Sequence, residues 1–205
     1  MNLPNKLTLG RLALTVLFVA VTSSPLGWGR GWAFTAGLLI FGVASLTDYL
    51  DGYLARKHNL ITAFGKLMDP LADKVLLCAA FVLLTETPGP EGAGHLFPGW
   101  VTVTVLAREF LVTGLRLVAS AQGSVLAADK LGKHKTIWQI ITALYFLLFL
   151  STGEPALSWL RPVFDVRLLG PGGLGMVLIA VTLLTTVVSG WAYFWKNRAL
   201  AFREM

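Results

Sequence analysis

Four aspartates, Asp48, Asp51, Asp69 and Asp73, fall within residues 48–73, a stretch that otherwise reads as membrane helix. One carboxylate in a hydrophobic segment costs about 3 kcal/mol on insertion scales, and four close together also repel one another. Divalent cations neutralise such a group economically. An all-carboxylate donor set suits Mg²⁺ or Mn²⁺ rather than zinc. Two such ions about 4 Å apart clamp a phosphate or diphosphate. Gly52 and Gly65 remove side chains beside the carboxylates, and Ala55 keeps the same face open, so a ligand or partner helix can approach closely. Arg56 has the planar fork that grips phosphate oxygens. The simpler alternative is ion pairing of these aspartates with Arg56, Lys57, Lys66 and Lys74.

The carboxylates need helices to aim them. Asp48 and Asp51 are spaced i, i+3, and Asp69 and Asp73 i, i+4, so each pair shares a helical face. A short hairpin between two antiparallel neighbouring helices would bring the pairs together. Pro70 is either a first-turn proline or an interior kink of the second helix. Six apolar runs are long enough to be membrane helices, at about residues 7–22, 32–55, 64–85, 99–120, 135–152 and 173–195. The first contains Arg11 and has no cleavage pattern, so it is expected as a retained helix.

Composition agrees. The chain has 205 residues, 55% hydrophobic and 14% charged, against about 25% charged in soluble domains. The expected fold is therefore an all-α integral membrane protein, a six-transmembrane-helix bundle forming a single domain over residues 1–205. Lys6, Arg56, Lys57, Lys130, Lys133, Lys196, Arg198 and Arg203 fall at the termini and alternate connections, so the positive-inside rule puts both termini in the cytoplasm. All four aspartates then face the cytoplasm. Trp28, Trp32, Trp100, Trp159, Trp191 and Trp195 lie near segment ends, as an aromatic belt would. The net charge of +6 sits beside hydrophobic segments, forming no soluble basic stripe, and no nucleic-acid partner is expected. The lone cysteine, Cys78, excludes an internal disulfide and reads as packing. His58, His95 and His134 show no ligand pattern. The connection at 153–172, with Glu154 and Asp165, suggests no function.

The pattern D-x2-D-G-x2-A-R-x8-G-x3-D-x3-D over residues 48–73 resembles the signature of the CDP-alcohol phosphatidyltransferases, matching it at every fixed position. The resemblance implies six transmembrane helices, a homodimer, two divalent cations per active site, and transfer from a CDP-linked donor with release of CMP. It implies that Asp48, Asp51 and Asp69 are metal ligands, and that Asp73 is a ligand that also takes the proton of the attacking hydroxyl. Gly52, Ala55, Arg56 and Gly65 would frame the CDP-donor.

Further stretches resemble the bacterial branch of that family that uses glycerol 3-phosphate. They are Asn2 to Arg11, Ala107-Arg108-Glu109 with Gly114-Leu-Arg116, and Gly132-Lys133-His-Lys135-Thr136 with Gln139. The implied donor is CDP-diacylglycerol, in the bacterial inner membrane. A dianionic acceptor phosphate needs fixed cations, and Arg11, Arg108, Arg116, Lys133 and Lys135 are the candidates, several of which should surround it. Each has a plainer role available: Arg108 paired to Glu109, Arg11 or Arg116 snorkelling to lipid headgroups, and the lysines setting topology. Diacyl tails must remain in hydrocarbon, so the cavity should open sideways among membrane lipids. Serine or inositol phosphate as acceptor keeps the same chemistry. A non-enzymatic cation carrier would instead spread its acidic residues across several helices.

Overall fold

The computed structural model describes the backbone of residues 3–23, 31–58, 63–89, 94–121, 126 and 130–201, and side chains within 9–23, 31–47, 74–89, 94–120, 126 and 131–198. All regular structure among them is helical. Each of the six apolar runs carries one long helix: α1 Leu3–Thr22, α2 Ala33–His58, α3 Ala63–Glu86, α4 Gly99–Ala121, α5 Lys130–Ser151 and, after a short α6 at Arg161–Asp165, α7 Met176–Ala201. Apolar sequence with few polar side chains leaves the backbone to satisfy itself, and a helix does so locally. Pro70 lies inside α3, beyond the first turn, so it is not a first-turn proline.

The segment Pro171–Arg198 is long and apolar enough to cross a membrane, and Leu9–Thr22 and Ala33–Thr47 are shorter apolar stretches. The exterior is apolar: Val16, Val103, Phe110 and Leu184 are each at least 65% exposed. Polar side chains are turned inward instead. Thr142 and Thr182 are buried and bond across α5 and α7 at 2.7 Å, while Gln139 Nε2 donates to Thr186 Oγ1 at 3.2 Å. Side-chain hydrogen bonds of this kind tie helices together where lipid offers no hydrophobic drive.

Two apolar clusters hold the bundle. Phe18 of α1, Phe41 and Ala44 of α2, Leu76 and Ala80 of α3, and Ala143 and Leu147 of α5 form one. Phe81, Phe97, Val101, Phe146 and Ile179 join α3, α4, α5 and α7 in the other, with Phe97 and Phe146 edge to face at 5.7 Å. Among the described residues α2 and α3 meet chiefly through α1 and α5, with little direct seam between them. The helices α1 and α2 approach closely at Gly37, where a Cβ would stand 2.4 Å from Thr22 Cγ2.

The connection at 153–172 has structural work. Glu154, 3% exposed, caps α2 from outside it. Its Oε1 accepts the N–H of Phe34 at 2.7 Å, and Oε2 accepts the N–H and hydroxyl of Thr35 at 2.8 and 2.6 Å. Those first-turn N–H groups have no partner within the helix, and a carboxylate also suits the positive end of the helix dipole.

Candidate active site

Five helices enclose a cavity of about 150 Å³. Arg11 comes from α1, Ala44 and Ser45 from α2, Lys74, Leu77 and Cys78 from α3, Val105 and Glu109 from α4, and Lys135, Thr136 and Gln139 from α5. Small side chains on α2 leave the space, and charged ones from the other helices fill its wall. Arg11, Glu109 and Lys135 are each at most 6% exposed. Charges this deep persist only when held by other charges or hydrogen bonds. Lys135 Nζ is ion-paired with Glu109 Oε1, and Arg108 Nη1 lies 3.5 Å from the same oxygen. Lys74 Nζ donates to Thr113 Oγ1, whose own hydroxyl donates to the Glu109 carbonyl at 2.7 Å. Among the described residues the wall therefore carries three cationic side chains and one carboxylate.

The aspartate positions continue this wall. Asp48 lies at i+4 from Ala44 and i+3 from Ser45, about 6 Å farther along α2, and Asp51 at i+7 from Ala44. On α3, Asp73 precedes Leu77 by one turn, and Asp69 precedes it by two. Helical register thus puts all four positions on the faces of α2 and α3 that line the cavity. The side chains of Asp48, Asp51, Asp69 and Asp73 lie outside the described residues, as do Gly52, Ala55, Arg56 and Gly65 in that respect. Their backbone is helical throughout, with α2 continuing past Arg56 to His58. Among the described residues no group of three His, Cys, Asp or Glu could hold a metal. A cation site therefore rests on the aspartate positions, whose all-oxygen donor chemistry fits Mg²⁺ or Mn²⁺.

The five candidate phosphate cations are divided by the fold. Arg11 and Lys135 line the cavity. Lys133 is exposed. The helix α5 starts at Lys130, five positions before the expected start at 135, so both lysines are helical. Two residues apart on a helix, they point to nearly opposite sides. Arg108 and Arg116 leave α4 on another side and meet α7. Arg108 lies against Gly190, and Arg116 Nε donates to Tyr193 Oη at 3.1 Å. Arg108 remains connected to the cavity through Glu109.

Lys74 and Glu109 were not among the candidates. The sequence offers Lys74 as an ion-pair partner of its aspartate neighbours and Glu109 as a partner for Arg108. A buried carboxylate within α4 was the available signal, since such residues seldom occur in an apolar helix without function or partner.

Comparison with known proteins extends well beyond the aspartates. The profile of the CDP-alcohol phosphatidyltransferase family matches residues 1–188. A Bacillus subtilis (strain 168) protein named CDP-diacylglycerol–glycerol-3-phosphate 3-phosphatidyltransferase is 43% identical over 204 residues, covering 96% of this chain and 95% of its own. A Rickettsia bellii protein of the same name is 35% identical over 195 residues, 94% of this chain and 93% of its own. An Escherichia coli (strain K12) protein, again of that name, is 39% identical over 151 residues, 71% of this chain and 76% of its own. Because the profile spans every helix that walls the cavity, as well as the aspartate pattern beside it, the chain belongs to the CDP-alcohol phosphatidyltransferase family.

Proposed function

We infer that this chain is an integral-membrane transferase that moves the phosphatidyl group of CDP-diacylglycerol to sn-glycerol 3-phosphate, giving phosphatidylglycerol phosphate and CMP. The observation that carries the reading is the shared face of α2 and α3. The four aspartate positions follow in register from a cavity walled by Arg11, Lys74 and Lys135. A donor diphosphate needs the first group, and a phosphorylated acceptor needs the second. The names of the relatives from Bacillus subtilis and Rickettsia bellii support the same donor and acceptor.

Asp48, Asp51, Asp69 and Asp73 would hold two divalent cations, Mg²⁺ or Mn²⁺, which when bound neutralise the diphosphate oxygens and the departing phosphate. Gly52, Ala55 and Gly65 leave room for the CDP moiety, and Arg56 grips its phosphates. Arg11 and Lys135 hold the acceptor phosphate from within the cavity. Arg108 and Arg116 act from the α4 side, whereas Lys133, exposed on the side of α5 away from Lys135, sets topology rather than holding the anion. Asp73 accepts the proton of the acceptor hydroxyl as its oxygen bonds to the phosphatidyl phosphorus. The bond from that phosphorus to the bridging oxygen breaks, and CMP leaves with the electron pair. The cavity is lined by apolar Leu77, Val105 and Ile140 as well as by charge, and those apolar side chains offer no hydrogen bond to a competing water.

The six long helices span the membrane with both termini in the cytoplasm, where Mg²⁺ and the acceptor are supplied. The protein is a homodimer of the bacterial inner membrane, with the donor's acyl chains among surrounding lipids. The apolar exterior of the helices supports the embedding, and the Lys and Arg distribution supports the orientation.

The test is CMP release by purified protein in detergent with CDP-diacylglycerol, Mg²⁺ and one acceptor at a time. Release with glycerol 3-phosphate, abolished by EDTA, is expected. Release with only serine or inositol phosphate would overturn the acceptor and keep the chemistry. No release with any acceptor, from folded protein, would overturn the transferase reading.

A further inference from the structure

The two arginines of α4 are both held by the C-terminal half of α7. The stem of Arg108 runs over Gly190, where a Cβ would stand 2.9 Å from Arg108 Cγ. At the other end of the side chain, Nη2 lies 3.8 Å from the Cβ position of Gly132 on α5. Arg108 therefore threads a slot with a glycine at each end. Its Nη1 emerges toward Glu109, the partner of Lys135 in the cavity wall. Its Nε is buried with no protein hydrogen-bond partner.

Tyr193 stands one turn beyond Gly190, on the same face of α7. It is 3% exposed. Its phenol oxygen accepts from Arg116 Nε at 3.1 Å, and the Arg116 guanidinium carbon lies 5.5 Å from its ring centroid. One side chain thus fixes Arg116 both by an oxygen and by a ring face. Asn197 Nδ2 donates to the Tyr193 carbonyl at 2.8 Å, one turn farther on. Gly190 and Tyr193 both lie past residue 188, where the family profile match ends.

We propose that Gly190 and Tyr193 are positioning residues, which pre-set Arg108 and Arg116 for the phosphate of the acceptor. This rests on the reading above that the two arginines bind that phosphate. Arginine is long and rich in rotamers, so a ligand that must order it binds more weakly than one that finds it ordered. Gly190 supplies the lane for one stem, and Tyr193 supplies the rest for the other guanidinium. Neither needs to touch the substrate.

Steady-state CMP release measures this directly. Tyr193→Phe keeps the ring and the packing and removes the oxygen. Its KM for glycerol 3-phosphate should rise roughly tenfold, the scale of one hydrogen bond to a charged group. kcat and the KM for CDP-diacylglycerol should change little. In an Arg116→Ala background the same substitution should add nothing, because the two residues act through one contact. Gly190→Ala should raise the acceptor KM as well. Should that variant fold poorly, Arg108→Ala in the same chain should restore its thermal stability by vacating the slot.

The positioning role is overturned if Arg116→Ala raises the acceptor KM and Tyr193→Phe does not. It is equally overturned if Tyr193→Phe lowers stability and kcat at unchanged acceptor KM, which is what a merely structural tyrosine would do. If Arg108→Ala and Arg116→Ala themselves leave the acceptor KM unchanged while CMP release persists, the acceptor role of those arginines fails first. That outcome is separate from a failure of the tyrosine.

Discussion

Glu109 of α4 and Lys135 of α5 form an ion pair inside the cavity, both nearly inaccessible to solvent. The pair joins two helices and also sets the charge of the wall that an acceptor phosphate would face. These two roles separate by mutation. Glu109→Ala strands a buried ammonium, and removing one member of such a pair costs about 3–5 kcal/mol. Replacing both, as Glu109→Gln with Lys135→Met, should restore most of the thermal stability in detergent. It should leave the KM for glycerol 3-phosphate raised. Recovery of acceptor affinity along with stability would show that Lys135 acts only as a strut.

The aspartates give a sharper expectation. On the proposed function, Asp73→Asn preserves shape and would remove both a cation ligand and a proton acceptor. CMP release should fall by at least about 10²-fold, the lower range for general-base loss. EDTA should abolish release by the unaltered protein, and Mg²⁺ should restore it. Activity that survives chelation would remove the cations from the mechanism.

Glu154 predicts the opposite pattern, stability without specificity. It satisfies two backbone N–H groups and a hydroxyl at the start of α2. Glu154→Ala should cost about 1–3 kcal/mol, the range for leaving buried donors unsatisfied. The midpoint of thermal unfolding should fall, while the KM for either substrate in the folded fraction should stay unchanged. A large rise in one KM alone would mean that the cap also sets the aim of the helix that carries Asp48 and Asp51.

Gly37 tests the seam between α1 and α2. A Cβ there would collide with Thr22 Cγ2 at 2.4 Å, so Gly37→Ala should destabilise by about 1–3 kcal/mol, as overpacking does. Thr22→Ser removes the offending methyl and keeps the hydroxyl, which bonds to the Phe18 carbonyl at 2.7 Å. The double variant should regain most of the loss. Without that recovery, the contact is not what limits the approach of the helices.

Much of this protein was legible before any folding. Six apolar runs became six long helices because backbone in apolar surroundings has little alternative. The spacings of Asp48 with Asp51 and of Asp69 with Asp73 put each pair on one helical face for the same local reason. The distribution of the other charges was not legible. Lys133 and Lys135 looked equivalent in sequence, yet one is exposed and the other buried, because α5 starts at Lys130 and its packing selects one face. Arg108 and Arg116 belong with Arg11 in one set of candidate cations, yet only Arg11 of the three lines the cavity, and Gly190 and Tyr193 fix the other two on the α7 side of α4. Glu154 read as loop and became the cap of a helix 119 residues distant along the chain. Helix formation is decided within a few residues, so the chain itself determined it. The rotational phase of each helix against its neighbours is a property of the whole packed bundle. Tertiary structure alone decided which charges share the cavity.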